Sequence, residues 1–222
     1  MSTISEIGAI ISAFASQDSF EISNALRSDA KWYLGVIFML VGGYGVSVIY
    51  RAIPFIDRHL ERTIMVAAYL AIGFIIFWAV IDRFIFSSQW PWSTTIPPFL
   101  FMVMAWFGAA YNIRLRTHLS FSEFRTKMGP TGQLVCLTLD FFLWMGFALI
   151  LFVTTLRVTA NSASNFQIVL GTDNTMQWWF LATAPVAAIL IAGRAIENIQ
   201  DDIRKYRAGE PLIEQAVIGG DT

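Results

Sequence analysis

The stretch "TIMVAAYLAIGFIIFWAVI", Thr63 to Ile81, decides the fold class: it is apolar, long and free of any charged side chain. A helix rises 1.5 Å per residue, so about 20 mostly apolar residues cross the hydrocarbon core of a bilayer. Working outward, three more runs of this kind follow, at Ile96 to Ile113, Leu134 to Leu156 and Met176 to Gly193. A fifth run, Trp32 to Tyr50, is also uncharged and apolar on every face, which favours a span over a helix lying in the interface. Its glycines, Gly42, Gly43 and Gly45, also suit a bent or horizontal helix. Only 14% of the residues are charged, against roughly 25% in a soluble domain. The expectation is an all-α integral membrane protein of four core spans with an extra N-terminal transmembrane helix.

Lys and Arg near span ends report orientation, because cytoplasmic loops retain them. One side carries Arg51, Arg58, Arg62, Arg114, Arg116, Arg125, Lys127, Arg194, Arg204, Lys205 and Arg207; the other has only Arg27, Lys31, Arg83 and Arg157. The first side is therefore assigned to the cytoplasm, with the C-terminus. The expected layout is an extension at 1–31 able to form an interfacial helix, the extra hydrophobic helix at 32–50, and spans at 63–86 and 96–113. A basic cytoplasmic loop at 114–131, a span at 133–157, a periplasmic loop at 158–175, a span at 176–194 and a cytoplasmic tail helix at 195–222 complete it. Trp90, Trp92, Trp178 and Trp179 suit the headgroup layer. Pro185, inside the last run, predicts a kink in mid-helix. The N-terminus has no basic stretch before its apolar residues, so no removable signal peptide is read there.

Few residues offer chemistry. Asp140 stands inside a span and is a functional candidate, although pairing with a polar group on another helix is the simpler use for a single carboxylate. Arg83 and Arg157 close two spans on the outer side, where lipid headgroup contact is expected. His59 and His118 are the only histidines. Two histidines on neighbouring helices could ligate a haem iron, but His59 lies among Asp57, Arg58, Glu61 and Arg62, which reads as a solvated boundary. Cys136 reads as a small buried hydrophobe. No phosphate loop, nucleophile arrangement or metal-spaced cluster is legible, so no catalytic residue, metal or cofactor is expected. A formal net charge of -1 gives no footprint for nucleic acid.

The segments "DRFIFSSQWPWS", "AWFGAAYNIRLRTHLSF" and "WWFLATAPVAAILIAGRAI" together resemble the small membrane subunit, DctQ type, of the tripartite ATP-independent periplasmic (TRAP) transporters. The resemblance covers about Arg62 to Ile196. It rests on Arg83 at an outer span end, Trp92 and Ser93 opening the next span, and the small-residue patch Gly108, Ala109 and Ala110. A basic run through Arg114 and Arg116 to His118, and a Pro185-containing last span ending at Arg194, complete it. Two departures are visible: Thr94 and Thr95 stand where many members carry acids, and about sixty residues precede the first family span.

The resemblance implies a four-helix DctQ-type bundle in the bacterial inner membrane and a non-enzymatic role. Its partners would be a large membrane subunit (DctM type), sodium-coupled and working as an elevator, a periplasmic substrate-binding protein delivering an organic acid anion, and membrane lipids. Arg114, Arg116 and His118 would anchor orientation and the partner interface, with Arg83, Arg157, Asp140 and the small-residue patch as further interface candidates. The chain itself lacks the paired repeats and interrupted spans of a secondary carrier. Two other classes stay in view: a haem-binding anchor of an oxidoreductase, and a small homo-oligomeric exporter coupled through Asp140.

Overall fold

The computed structural model describes residues 3–116, 125 and 127–212. Among them the chain is all-α, with eight helices. These are α1 (Thr3–Ser16), α2 (Ser19–Ala25), α3 (Ala30–Ala52), α4 (Pro54–Ile85), α5 (Ile96–Leu115), α6 (Pro130–Ser164), the single turn α7 (Trp178–Leu181) and α8 (Thr183–Ala208). Five segments are long and apolar enough to cross a membrane: α3, α4, Pro91–Leu115 containing α5, α6, and Trp178–Ala208 containing α7 and α8.

Helix α8 is the axis of the bundle. It packs against α6, α3 and α5, and 61% of its apolar window is buried. The sequence makes this possible with small side chains: Ala184, Ala187, Ala188, Ala192, Gly193 and Ala195 are all buried. In lipid, two apolar helices gain little by merely hiding from the solvent, so association depends on close approach and packing. The tightest approach is to α3. A Cβ placed on Gly193 would lie 2.6 Å from Val46 Cγ1, and one on Gly43 would lie 3.0 Å from Ala192 Cβ. The buried residues of α3, among them Gly35, Met39, Gly43 and Ser47, recur every four positions; Gly43 meets this axis, while Gly35 meets Val153 and Leu149 of α6.

Helix α4 is the opposite case. It lies against α5 and the end of α3, no Cα of it comes within 8 Å of a Cα of α8, and it reaches α8 through the long side chain of Arg194. Only 6% of its apolar window is buried, and Phe74, Phe77 and Phe84 are each more than 60% exposed.

Several boundaries differ from the sequence expectation. Helix α4 begins at Pro54, well before the 63–86 segment, because Ile53 is extended and Pro54 sits in the first turn, where its missing N–H costs nothing. The charged stretch 57–62 is thus helical rather than a loop. Helix α6 runs on to Ser164, so the first part of the expected 158–175 loop is helix. The rest folds into a short excursion closed by an antiparallel bridge between Ile168 and Met176. At Pro185 the missing N–H leaves one rung of the helical ladder unmade, so α7 and α8 are separated only at Ala182, which itself keeps helical dihedrals (φ -61°, ψ -21°) and donates to the Trp178 carbonyl at 2.8 Å. Helix α8 ends at Gly209, whose φ of +70° is the left-handed conformation that stops a helix.

The extension forms two helices. Asp18 caps α2 by accepting from the Phe20 N–H at 2.8 Å. Ile10, Leu26 and Ala30 then close a small core against Ala160 of α6.

Candidate functional site

The end of the bundle where α3 and α5 finish, α4 begins and α8 runs on holds a buried charge network centred on Arg194. The close crossing at Gly43 and Gly193 brings the last turns of α3 beside α8, which sets the Tyr50 ring under the guanidinium, 3.7 Å from Cζ to the ring centroid. Arg194 Nε donates to Glu61 Oε1 at 2.8 Å and Nη2 to Glu61 Oε2 at 2.7 Å, a two-pronged pair. Nη2 also donates to the Asp57 carbonyl at 2.8 Å, and Nη1 donates to Glu197 Oε2 at 2.9 Å and to Asp57 Oδ1. All five N–H groups are therefore engaged. Tyr50 donates its hydroxyl to Glu61 Oε1 at 2.7 Å, and Arg114 donates to Asp57 Oδ2 at 3.0 Å. Two guanidiniums face three carboxylates, drawn from α4, α5 and α8.

Arg194 and Glu61 are each 1% exposed. A charge so placed is tolerated only when it is paired and hydrogen-bonded, and here both conditions are met. Asp57 and Glu61, four apart on one helical face, turn inward together. The solvated boundary expected around His59 is thus only half correct. His59 itself is exposed and stacks on Phe55 at 4.7 Å, whereas Glu61 is among the most buried side chains of the protein. No group of three or more His, Cys, Asp and Glu could hold a metal among the described residues.

A second set of ties lies beyond it. Arg116, in the left-handed conformation that ends α5, donates to Asp202 at 2.7 Å and to the Asn198 carbonyl at 3.2 Å. Asn198 returns a hydrogen bond to the Ile113 carbonyl at 3.0 Å, and Arg51 at the end of α3 donates to Gln200. The basic run therefore spends Arg114 and Arg116 on internal carboxylates; His118 lies outside the described residues. Asp140 belongs to neither set. It receives two hydrogen bonds from Arg125, at 2.5 and 2.9 Å, and so has its own cation.

The opposite end is built from aromatic and turn residues. A 3₁₀ turn at Pro91–Ser93 carries Trp92, which meets Trp90 edge-on at 5.3 Å, and Trp178 meets Trp179 in the same manner at 6.1 Å. The excursion after α6 docks here. Thr95 donates to the Leu170 carbonyl at 2.7 Å, and Gly171, at φ +80°, lies so close that a Cβ would come within 2.6 Å of the Pro91 carbonyl carbon. Asp82 is buried and accepts from Ser88 Oγ at 2.8 Å. Arg83 and Arg157 are exposed and form no ion pair among the described residues.

The small-residue patch is divided. Gly108 and Ala110 are buried and Ala109 is half-buried; Gly108 and Ala109 border an open groove of about 460 Å³ between α4 and α5, with Met65, Tyr69 and Met104.

Sequence reasoning placed Arg194 only as the end of a span and missed Tyr50, Asp57, Glu61 and Glu197. The available signal was the four-residue spacing of Asp57 and Glu61 beside an otherwise apolar helix.

A family model described as the DctQ component of tripartite ATP-independent periplasmic transporters matches residues 72–205. The match runs from the middle of α4 through most of α8. It takes in Arg83, Trp92, Ser93, Arg114, Arg116, Asp140 and Arg194, and leaves α1 to α3 outside. No curated protein matches the chain. With more than half of the chain matched, and with an all-α build of apolar helices long enough to cross a bilayer, the protein belongs to the DctQ family of TRAP transporter components.

Proposed function

We propose that this chain is a static brace: the small membrane subunit that holds a large, sodium-coupled elevator subunit in place while that subunit moves an organic acid anion handed over by a periplasmic binding protein. The observation that carries the reading is the division of labour among the helices. Ion pairs join α4, α5 and α8 at one end and Tyr50 ties α3 to them, while α4 keeps a long apolar flank uncovered. A subunit that transported by itself would need a polar path and a bistable element near mid-depth. Here, in contrast, the buried ion pairs are concentrated at one end and saturated. The flank of α4, with Phe74, Phe77 and Trp78 on it, is the surface offered to the large subunit and to lipid.

In this reading the Arg194 end faces the cytoplasm and the tryptophan end the periplasm, following the Lys and Arg bias. Arg114 and Arg116 act at the interface by holding α5 and the tail of α8 at fixed depth. Arg83 and Arg157 reach headgroups on the outer face, beside Trp90 and Trp179.

The test is purification of the tagged chain from native membranes in mild detergent. A stoichiometric, much larger polytopic companion is expected, and it should be lost when Phe74 and Phe77 are both replaced by polar residues. Solute flux from the chain alone in liposomes would overturn the proposal.

A further inference from the structure

At the tryptophan end, a cleft of about 550 Å³ opens between the N-terminal helices and the bundle. Its walls are Ile10 and Phe14 of α1, Leu34 and Phe38 of α3, Leu156 of α6 and Val186 of α8. The hydroxyl of Thr159, which also borders it, is spent on the Thr155 carbonyl at 2.8 Å. The single charged side chain in the lining is Lys31, half-buried in the first turn of α3. No carboxylate pairs with it among the described residues. Arg27 and Arg157, at the same end, are exposed and likewise without an ion pair among the described residues.

The cleft thus has a cation at its mouth and an apolar floor. Along α3, Phe38 lies about 10 Å deeper than Lys31 at 1.5 Å per residue, so the apolar part points from the interface into the hydrocarbon layer. Its rim is open to lipid, since Ile11, Phe38 and Val186 are each at least half exposed. An occupant that satisfies both ends carries a negative headgroup and a hydrocarbon tail.

We propose that this cleft seats one acyl chain of an anionic glycerophospholipid, with its phosphate held by Lys31. The lipid would fill the seam between α1, α3 and the family-matched core, tying the extension to the bundle. The inference requires only that the chain lies in a bilayer, and its test uses no transport measurement.

The experiment is native mass spectrometry of the purified full chain, with any companion subunit retained, after equilibration in nanodiscs of phosphatidylglycerol and phosphatidylcholine in equal amounts. One tightly held lipid per chain is expected, with phosphatidylglycerol preferred by about five-fold, the contribution of one lysine near a headgroup. Lys31→Gln should abolish the preference while leaving the site occupied. Val186→Trp, which fills the cleft from a half-exposed position, should remove the retained lipid; its thermal midpoint is compared with the parent to verify folding. A preference unchanged in Lys31→Gln, or retention unchanged in a folded Val186→Trp, overturns the proposal. So does protection of the cleft by a companion protein segment, seen as cross-links from Phe14 or Val186 to that subunit.

Discussion

Replacing Arg194 by alanine tests the central network most directly. The change removes five hydrogen bonds at once and leaves Glu61, 1% exposed, as a buried carboxylate whose remaining partner is the Tyr50 hydroxyl. Asp57 is less affected, because Arg114 still reaches its other oxygen. Breaking a buried ion pair by deleting one partner costs about 3 to 5 kcal/mol. For a chain of this length each kcal/mol moves the midpoint by about 2 to 4 °C, so Arg194→Ala should melt about 6 to 20 °C below the parent. The 8 tryptophans make intrinsic fluorescence in detergent a suitable readout.

Two further variants separate the burial argument from a generic packing loss. Arg204→Ala removes an exposed pair with Asp201 and should shift the midpoint by no more than about 1 kcal/mol's worth, because solvent screens such a pair. The triple change Arg194→Leu, Glu61→Leu and Tyr50→Phe removes the two fully buried charges and the orphaned hydroxyl together, leaves Asp57 to Arg114 and Glu197 to solvent, and should recover a clear part of the loss, since an apolar replacement of a buried pair is often neutral. If Arg194→Ala melts within 2 °C of the parent, or if the triple variant is no better than the single one, the network does not hold the helices together as described.

Three other outcomes are expected. Arg116→Ala leaves the Asp202 carboxylate, 3% exposed at its side chain, without its cation, at a cost of about 1 to 3 kcal/mol; hydrogen exchange should accelerate in the last turns of α8 and little elsewhere. Gly171→Ala meets both a positive φ and the Pro91 backbone, so the 165–176 excursion should become sensitive to limited proteolysis while the helices keep their exchange protection. Asp140→Asn in the assembled transporter should lower the midpoint by a few degrees and leave uptake within two-fold of the parent, since the carboxylate serves Arg125; a loss of about ten-fold or more would make it a coupling residue.

The spans were legible because a bilayer demands an uninterrupted apolar run, and each of the five shows one. What the runs could not reveal is where a helix continues past its apolar part. Pro54 opens α4 a full two turns before the hydrophobic stretch, and the intervening Asp57, Arg58, Glu61 and Arg62 have the composition of a loop. They are helical because Asp57 and Glu61 find a guanidinium contributed by a residue more than a hundred positions away, which no local periodicity can announce. Asp140 shows the same difficulty on a smaller scale: its isolation along the sequence disappears once Arg125 folds back upon it. Pro185 was legible for a different reason: a residue without an N–H must leave a gap in the ladder about a turn before it, and the gap is found at Ala182.

The crossing of α3 and α8 at Gly43 and Gly193 makes position 193 a gauge of architecture. A chain of this build that lacks α3 has neither the Val46 side chain nor the Gly43 carbonyl pressing on that position, and is free to carry a larger residue there. One that keeps the helix must keep a hydrogen. Size at a single site, a few letters from the end of the last span, thus tells whether the bundle was folded with four staves or five.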